Sequence, residues 1–297
     1  MKGIILAGGK GARLYPLTIS NSKQLLPVYD KPMIYYPLSL LLQAGLKEVL
    51  VITAPEPAQA FRRLLGDGER FGIRLSYRVQ QQPQGIAQAL LLGEDFLAGD
   101  TCCLILGDNL FHGGPGFAGQ LRALAQLREG ATVFAYPMAD PRPFGVVELA
   151  ADGRVLSLEE KPEQPKANTI VPGLYFYDQT APALAGQLRP SGRGELEITD
   201  LNRAYLAQGR LRAEPLPPEL LWFDTGTAEA LFQAAAMVRR IQREENRLIG
   251  CPEAAAYESG LLDKAGLAAA GLAQQNTGYG RYLLALAGAL SAKPANP

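Results

Sequence analysis

The residues of this chain that could do chemistry include a glycine loop with basic side chains and two aspartates far apart in sequence. Gly8, Gly9 and Gly11, with Arg13 close behind, follow the apolar run Gly3-Ile4-Ile5-Leu6-Ala7, which reads as a short buried strand. Glycines there remove side chains where the backbone must turn, and they let backbone amides approach a ligand. Converging amides form a concave anion site. Arg13 adds a planar fork suited to phosphate oxygens. The loop is not a P-loop, because Gly11 rather than serine or threonine follows Lys10. Nor is it a dinucleotide fingerprint, because Leu14 stands where the third glycine would fall. On the loop alone, a plain glycine turn after a strand explains these residues equally well.

Asp108 follows Leu104-Ile105-Leu106-Gly107, and Asp224 ends the run Trp222-Phe223 ahead of Thr225-Gly226-Thr227. Taken singly, Asp108 reads best as a turn or capping aspartate. Thr227 could cap the helix after it. Carboxylates without a histidine partner suit a hard cation held by oxygen. The turn Gln80-Gln81-Gln82-Pro83-Gln84-Gly85 offers donors and acceptors that suit a pyrimidine edge, or equally a solvated polar turn.

Arg13-Leu14-Tyr15-Pro16-Leu17-Thr18 leads to Ser22-Lys23-Gln24-Leu25-Leu26-Pro27-Val28 and Asp30-Lys31-Pro32-Met33. This opening resembles the signature of the sugar-nucleotide pyrophosphorylases (nucleotidylyltransferases), and closely that of their glucose-1-phosphate thymidylyltransferase branch. Further matches run almost end to end, through Glu159-Glu160-Lys161-Pro162, Arg193-Gly194-Glu195-Leu196-Glu197, Cys251-Pro252-Glu253 and Asn276-Thr277-Gly278-Tyr279. The resemblance implies that Leu6, Gly8, Gly9, Gly11, Arg13, Lys23, Gln24 and Asp108 hold a nucleoside triphosphate, with Gln80 and Gly85 reading its base. It implies that Gly145, Glu160, Lys161, Val171, Gly173 and Arg193 form the sugar-phosphate side, with Glu195 in support. It pairs Asp108 with Asp224 as holders of one Mg²⁺, so the expected catalytic set is Arg13, Lys23, Lys161, Asp108 and Asp224. The chain departs from the family pattern at Lys10 and Ala12, where small hydroxyl residues are usual, and between Gln80 and Gly85.

The implied reaction transfers a thymidylyl group from dTTP to α-D-glucose 1-phosphate, giving dTDP-glucose and pyrophosphate. In the family this opens dTDP-L-rhamnose-type sugar synthesis. A sugar phosphate, with a second pKa of about 6, is already an anion near pH 7 and needs no general base. Positioning and charge stabilisation then carry the catalysis. A UTP-dependent uridylyltransferase is the alternative within the class; a non-catalytic nucleotide-sugar sensor is the alternative outside it. The tail matches further imply a homotetramer and a second site where a dTDP-sugar end product gives feedback.

Such a site needs a scaffold that gathers distant loops. Apolar runs at 48–53, 75–79, 101–106 and 132–136 read as strands, and 57–65, 87–96 and 117–127 read as helices. This order predicts a three-layer α/β/α sandwich, Rossmann-like, around a mostly parallel mixed sheet with ligands at the carboxyl ends of strands. From Gly145 the pattern turns β-rich, with a hairpin around Asp152-Gly153 and one strand over 170–177. One long helix is expected over 228–249, and 260–290 is helical. The expected organisation is a catalytic domain over 1–241, with a nucleotide half (1–110) and a sugar-phosphate half (111–241). A helical segment over 242–297 would serve assembly or regulation.

The bulk numbers agree with a small-molecule enzyme. A chain of 297 residues with 47% hydrophobic content buries a substantial core. Twenty-nine basic residues balance 29 acidic ones, which argues against a nucleic-acid partner. No apolar run is long enough to span a bilayer, and Met1-Lys2 opens directly into a strand, so a cytoplasmic place without a membrane is expected. Three cysteines make no disulfide framework, and the single His112 excludes a histidine metal cluster.

Overall fold

The computed structural model describes residues 1–9, 11–217 and 219–289. Lys10 of the glycine loop and the tail from residue 290 lie outside them. A ten-stranded sheet runs Val155–Glu160, Gly145–Leu149, Thr169–Ile170, Ala131–Pro137, Leu174–Tyr177, Cys102–Leu106, Lys2–Ala7, Glu48–Thr53 and Arg74–Val79, with Leu211–Pro215 also paired to Ala131–Pro137. Seven of these strands run one way; Val155–Glu160, Thr169–Ile170 and Leu174–Tyr177 run the other.

The central strands are apolar through their middles, at 3–7, 49–52 and Cys102–Leu106, because helices cover both faces. Ile4, Leu50 and Leu104 pack with Leu90 of helix Gln88–Leu92 and with Leu201 and Tyr205 of helix Ile198–Ala207. Their neighbours Ile5, Val51 and Ile105 point the other way, to Leu38 and Leu41 of helix Tyr35–Gln43 and to Phe117 of helix Gly114–Leu124. Period-two alternation therefore feeds two cores, and the three layers follow.

Several expected elements differ in detail, among them the helix expected over 117–127, which runs Gly114–Leu124. The strand expected over 170–177 is two, because Pro172 offers no N–H to the ladder. Thr169–Ile170 pairs with Gly145–Leu149 and Ala131–Pro137, and Leu174–Tyr177 crosses to lie between Ala131–Pro137 and Cys102–Leu106. The helix expected over 87–96 is split at Gly93. The helix Ala228–Glu245 stops short because Asn246 adopts the left-handed conformation, φ 50°. The helical tail holds Pro252–Glu258, Lys264–Leu272 and Gly278–Leu286, whose Ala255, Leu267 and Leu283 join the same core as Leu38. Residue 242 lies inside a continuous helix, where buried Gln242 accepts from Lys31 Nζ (2.7 Å) and donates to Asp30 (3.0 Å).

Candidate active site

The glycine loop leaves strand Lys2–Ala7 beside the Gly107-Asp108 turn that leaves Cys102–Leu106, because the two strands pair in parallel with Leu6 opposite Leu106. The Gly107 N–H donates to the Leu6 carbonyl at 2.8 Å and fixes the spacing. Asp224 arrives from far down the chain through a short antiparallel ladder. Asn109–His112 pairs with Leu221–Asp224, and Asp224 sits opposite Asn109. The Thr225 N–H and hydroxyl then both donate to the Asp108 carbonyl, at 3.3 and 2.8 Å. Two carboxylates far apart in the sequence thus meet at one mouth.

Each has a cation. Lys23 Nζ pairs with Asp108 Oδ2, and an Arg13 guanidinium nitrogen stands 3.7 Å from Asp224 Oδ2. Burial pushes the Asp224 carboxyl up from its ordinary value, and the Asp108 charge pushes it further, against the pull of Lys23 and Arg13. Among the described residues, no group of three or more His, Cys, Asp or Glu gathers to hold a metal alone. Two oxygen donors without a soft ligand fit a hard cation that takes its other ligands from a bound triphosphate.

A cleft of about 520 Å³ opens beside this pair. Arg13, Asp108, Asp224, Gly145, Glu160, Lys161, Val171 and Gly173 line it, over an apolar floor of Phe144, Tyr175, Ile198 and Trp222. Glu160 accepts from the Thr199 hydroxyl and from Arg193 (3.0 Å), with Lys161 Nζ 3.8 Å away. Lys161 holds its backbone at φ 44°, a strained value for a side-chain-bearing residue, while its N–H donates to the Phe144 carbonyl at 3.0 Å. Its side chain is 46% exposed. Arg193 is gripped a second time by Glu197 (2.9 Å), which accepts from the Ser191 hydroxyl (2.6 Å). The carboxylate that holds Arg193 is thus Glu197, two positions beyond Glu195; nothing in the local pattern distinguishes the two.

The remaining expected residues stand outside the cleft lining. Lys23 and Arg193 reach it through Asp108 and Glu160. Gly9 and Gly11 continue the loop beyond Leu6, and buried Gln24 accepts from Ser22 (2.7 Å). Buried Gln80 donates to Gln88 (2.6 Å), and its Oε1 comes so near Gly8 that a Cβ there would lie 2.1 Å away. Gly85 has φ +98°, and a Cβ on it would lie 2.3 Å from the Leu196 carbonyl. That close approach ties the glutamine turn to the Arg193 segment, with Leu196 N–H donating to Gln84 at 2.7 Å.

The chain is similar in sequence and fold to known proteins. The family model for nucleotidyl transferases matches residues 2–240. Glucose-1-phosphate thymidylyltransferase of Neisseria gonorrhoeae is 54% identical over 288 residues, 97% of this chain and 100% of the relative. That of Mycolicibacterium smegmatis is 52% identical over 96% of this chain and 99% of the relative. A Bacillus anthracis structure assigned to the same activity, in complex with sucrose, superposes with a TM-score of 0.75 at 41% identity, covering 80% of this chain and 95% of that one. A UDP-glucose pyrophosphorylase structure (TM-score 0.70, 24% identity, covering 80% of this chain and 98% of that one) shares the fold.

Proposed function

We propose, from the premise that this chain belongs to the nucleotidyl transferase family, that it moves a thymidylyl group from dTTP to glucose 1-phosphate. The observation that carries the reading is one cleft with Asp108 and Asp224 at its mouth and Glu160 and Lys161 within it. The named activity of relatives matched over nearly their full length supports the substrates.

In this reading an oxygen of the sugar phosphate attacks the α-phosphorus. A new P–O bond forms as the bond to the bridging oxygen breaks, and pyrophosphate leaves with that electron pair. Lys161 and Arg193 hold the attacking phosphate, and Glu160 accepts from sugar hydroxyls. Gly8, Gly9 and Gly11 give backbone access to the triphosphate, whose charge Arg13 and Lys23 offset. Gln80 and Gly85 face the base. Asp108 and Asp224 would hold Mg²⁺, which when bound supplies charge neutralisation at the phosphates. The test is pyrophosphate release across a panel of triphosphates and sugar 1-phosphates. dTTP with glucose 1-phosphate should react fastest; no release with any pair, or faster turnover with UTP, overturns the reading.

The same reading carries four finer proposals. The product feeds dTDP-L-rhamnose-type sugar synthesis. Residues 242–297 serve assembly and regulation of a homotetramer, beside a catalytic domain over 1–241. A dTDP-sugar acts as feedback ligand, supported by a second cleft of about 210 Å³ lined by Arg122, Arg247 and Cys251. Buried Ser39 Oγ and Arg247 Nε in that cleft have no hydrogen-bond partner among the described residues. The protein works in the cytoplasm, supported by three buried free thiols and by no described helix long and apolar enough to cross a membrane. Sedimentation should give four times the chain mass, and inhibition by a dTDP-sugar should persist at saturating dTTP.

A further inference from the structure

We infer that Asn109 is a positioning residue for Asp108, and that the indole of Trp222 and the backbone of Gly173 dictate which way its carboxamide faces. The inference rests on Asp108 being a cation ligand. Asn109 is 4% exposed. Its Oδ1 accepts from Trp222 Nε1 at 2.7 Å and from the Gly173 N–H at 3.2 Å. Two donors aimed at one atom identify that atom as the carbonyl oxygen, so the amide nitrogen is the other end. That nitrogen donates to Asp108 Oδ1 at 3.1 Å. The flipped amide would set an NH₂ against two N–H groups and a carbonyl against a carboxylate.

Lys23 takes the other oxygen of Asp108, so the carboxylate is pinned at both ends. The two pins differ in kind. A lysine head on four methylenes can leave for a phosphate. The amide cannot leave, because its orientation comes from buried donors. Trp222 is in turn wedged edge-on between Phe144 (5.4 Å between centroids) and Tyr136 (5.6 Å). Phe144 and Gly173 belong to the sugar-phosphate wall, so one amide links that wall to the cation end of the cleft. Outer partners of this kind typically govern 10–100-fold in metal affinity.

The test uses the full chain with bound dTTP and no sugar phosphate, so that no turnover occurs, and Mn²⁺ as probe, with binding read from the water-proton relaxation enhancement of the protein-bound ion. Asn109→Ala should weaken Mn²⁺ binding roughly tenfold. Trp222→Phe, which removes only the indole N–H from the amide, should weaken it by a similar factor. The double variant should be no worse than Asn109→Ala, because the indole acts through the amide. If Asp108→Asn leaves Mn²⁺ binding unchanged, the cation reading falls and this inference with it. If Asp108→Asn weakens binding while Asn109→Ala stays within twofold of the parent, the inference alone is overturned. Losses that multiply in the double variant overturn it too. Should Asn109→Ala fail to fold by circular dichroism, Trp222→Phe decides, and unchanged affinity there refutes the link.

Discussion

Lys161 is the side chain whose loss should separate the two substrates. Its side chain lines the cleft and is 46% exposed, so it is available to a phosphate. A hydrogen bond to a charged group is worth about 1.5–3 kcal/mol, so Lys161→Ala should raise the KM for glucose 1-phosphate by roughly 10- to 150-fold and leave dTTP binding intact. Loss of dTTP affinity with sugar-phosphate affinity unchanged would refute the role. Asp108 and Asp224 should behave as a unit, since the Asp108 charge bears directly on the Asp224 carboxyl. Asp108→Asn/Asp224→Asn should therefore be far less impaired than the product of the single losses, and each single variant should need more Mg²⁺ for half-maximal rate. Multiplicative losses with unchanged Mg²⁺ dependence would show two independent sites. Both aspartates end apolar runs, a pattern that reads equally as a turn, and it was the family resemblance that singled them out as a pair. Asn109 was not legible: its carboxamide is set by partners 64 and 113 positions away, and no local pattern announces them.

At the scale of elements, strands were read best where both faces are buried. The 48–53 strand was legible to the residue, since continuous apolar character has hard edges there. The hairpin around Asp152-Gly153 was equally plain, with Gly153 at φ +84°. What stayed hidden was the break at Pro172-Gly173, where the apolar pattern continues while the chain changes neighbours. Helix ends suffered likewise, as at Asn246. Contacts between distant turns were also invisible, and one of them is testable. Gly72 sits at φ +67° with its missing Cβ only 2.1 Å from the Leu261 carbonyl. Gly72→Ala combines backbone strain with a clash against main chain, so it should destabilise by about 2 kcal/mol or more. Thermal melting measures this; an unchanged midpoint would mean that the two turns do not depend on each other.

The whole molecule holds its tail more tightly than an appendage. Leu248, Ala254, Ala255, Leu267 and Leu283 share one core with Leu38, Leu41 and Phe71. Fully buried Glu253 bonds to the Tyr279 hydroxyl and lies 3.9 Å from Arg70. Losing several large core side chains at about 2–5 kcal/mol each exceeds the total stability of most proteins, roughly 5–15 kcal/mol. A chain ending at Asn246 should therefore be insoluble or melt at least about 10 °C lower; a soluble truncation melting within a few degrees of the parent would refute this. The order of strands in the sheet also has a consequence for manufacture. Leu174–Tyr177 is the partner that seals the open edge of Cys102–Leu106. On the ribosome that edge waits while residues 107–177 are made, on the order of 4–14 s at about 5–20 residues per second. An unpaired apolar edge is a template for the wrong neighbour. The yield of soluble protein should thus depend on how far apart nascent chains are kept during those seconds, and slowing initiation should raise it more than cooling the finished product.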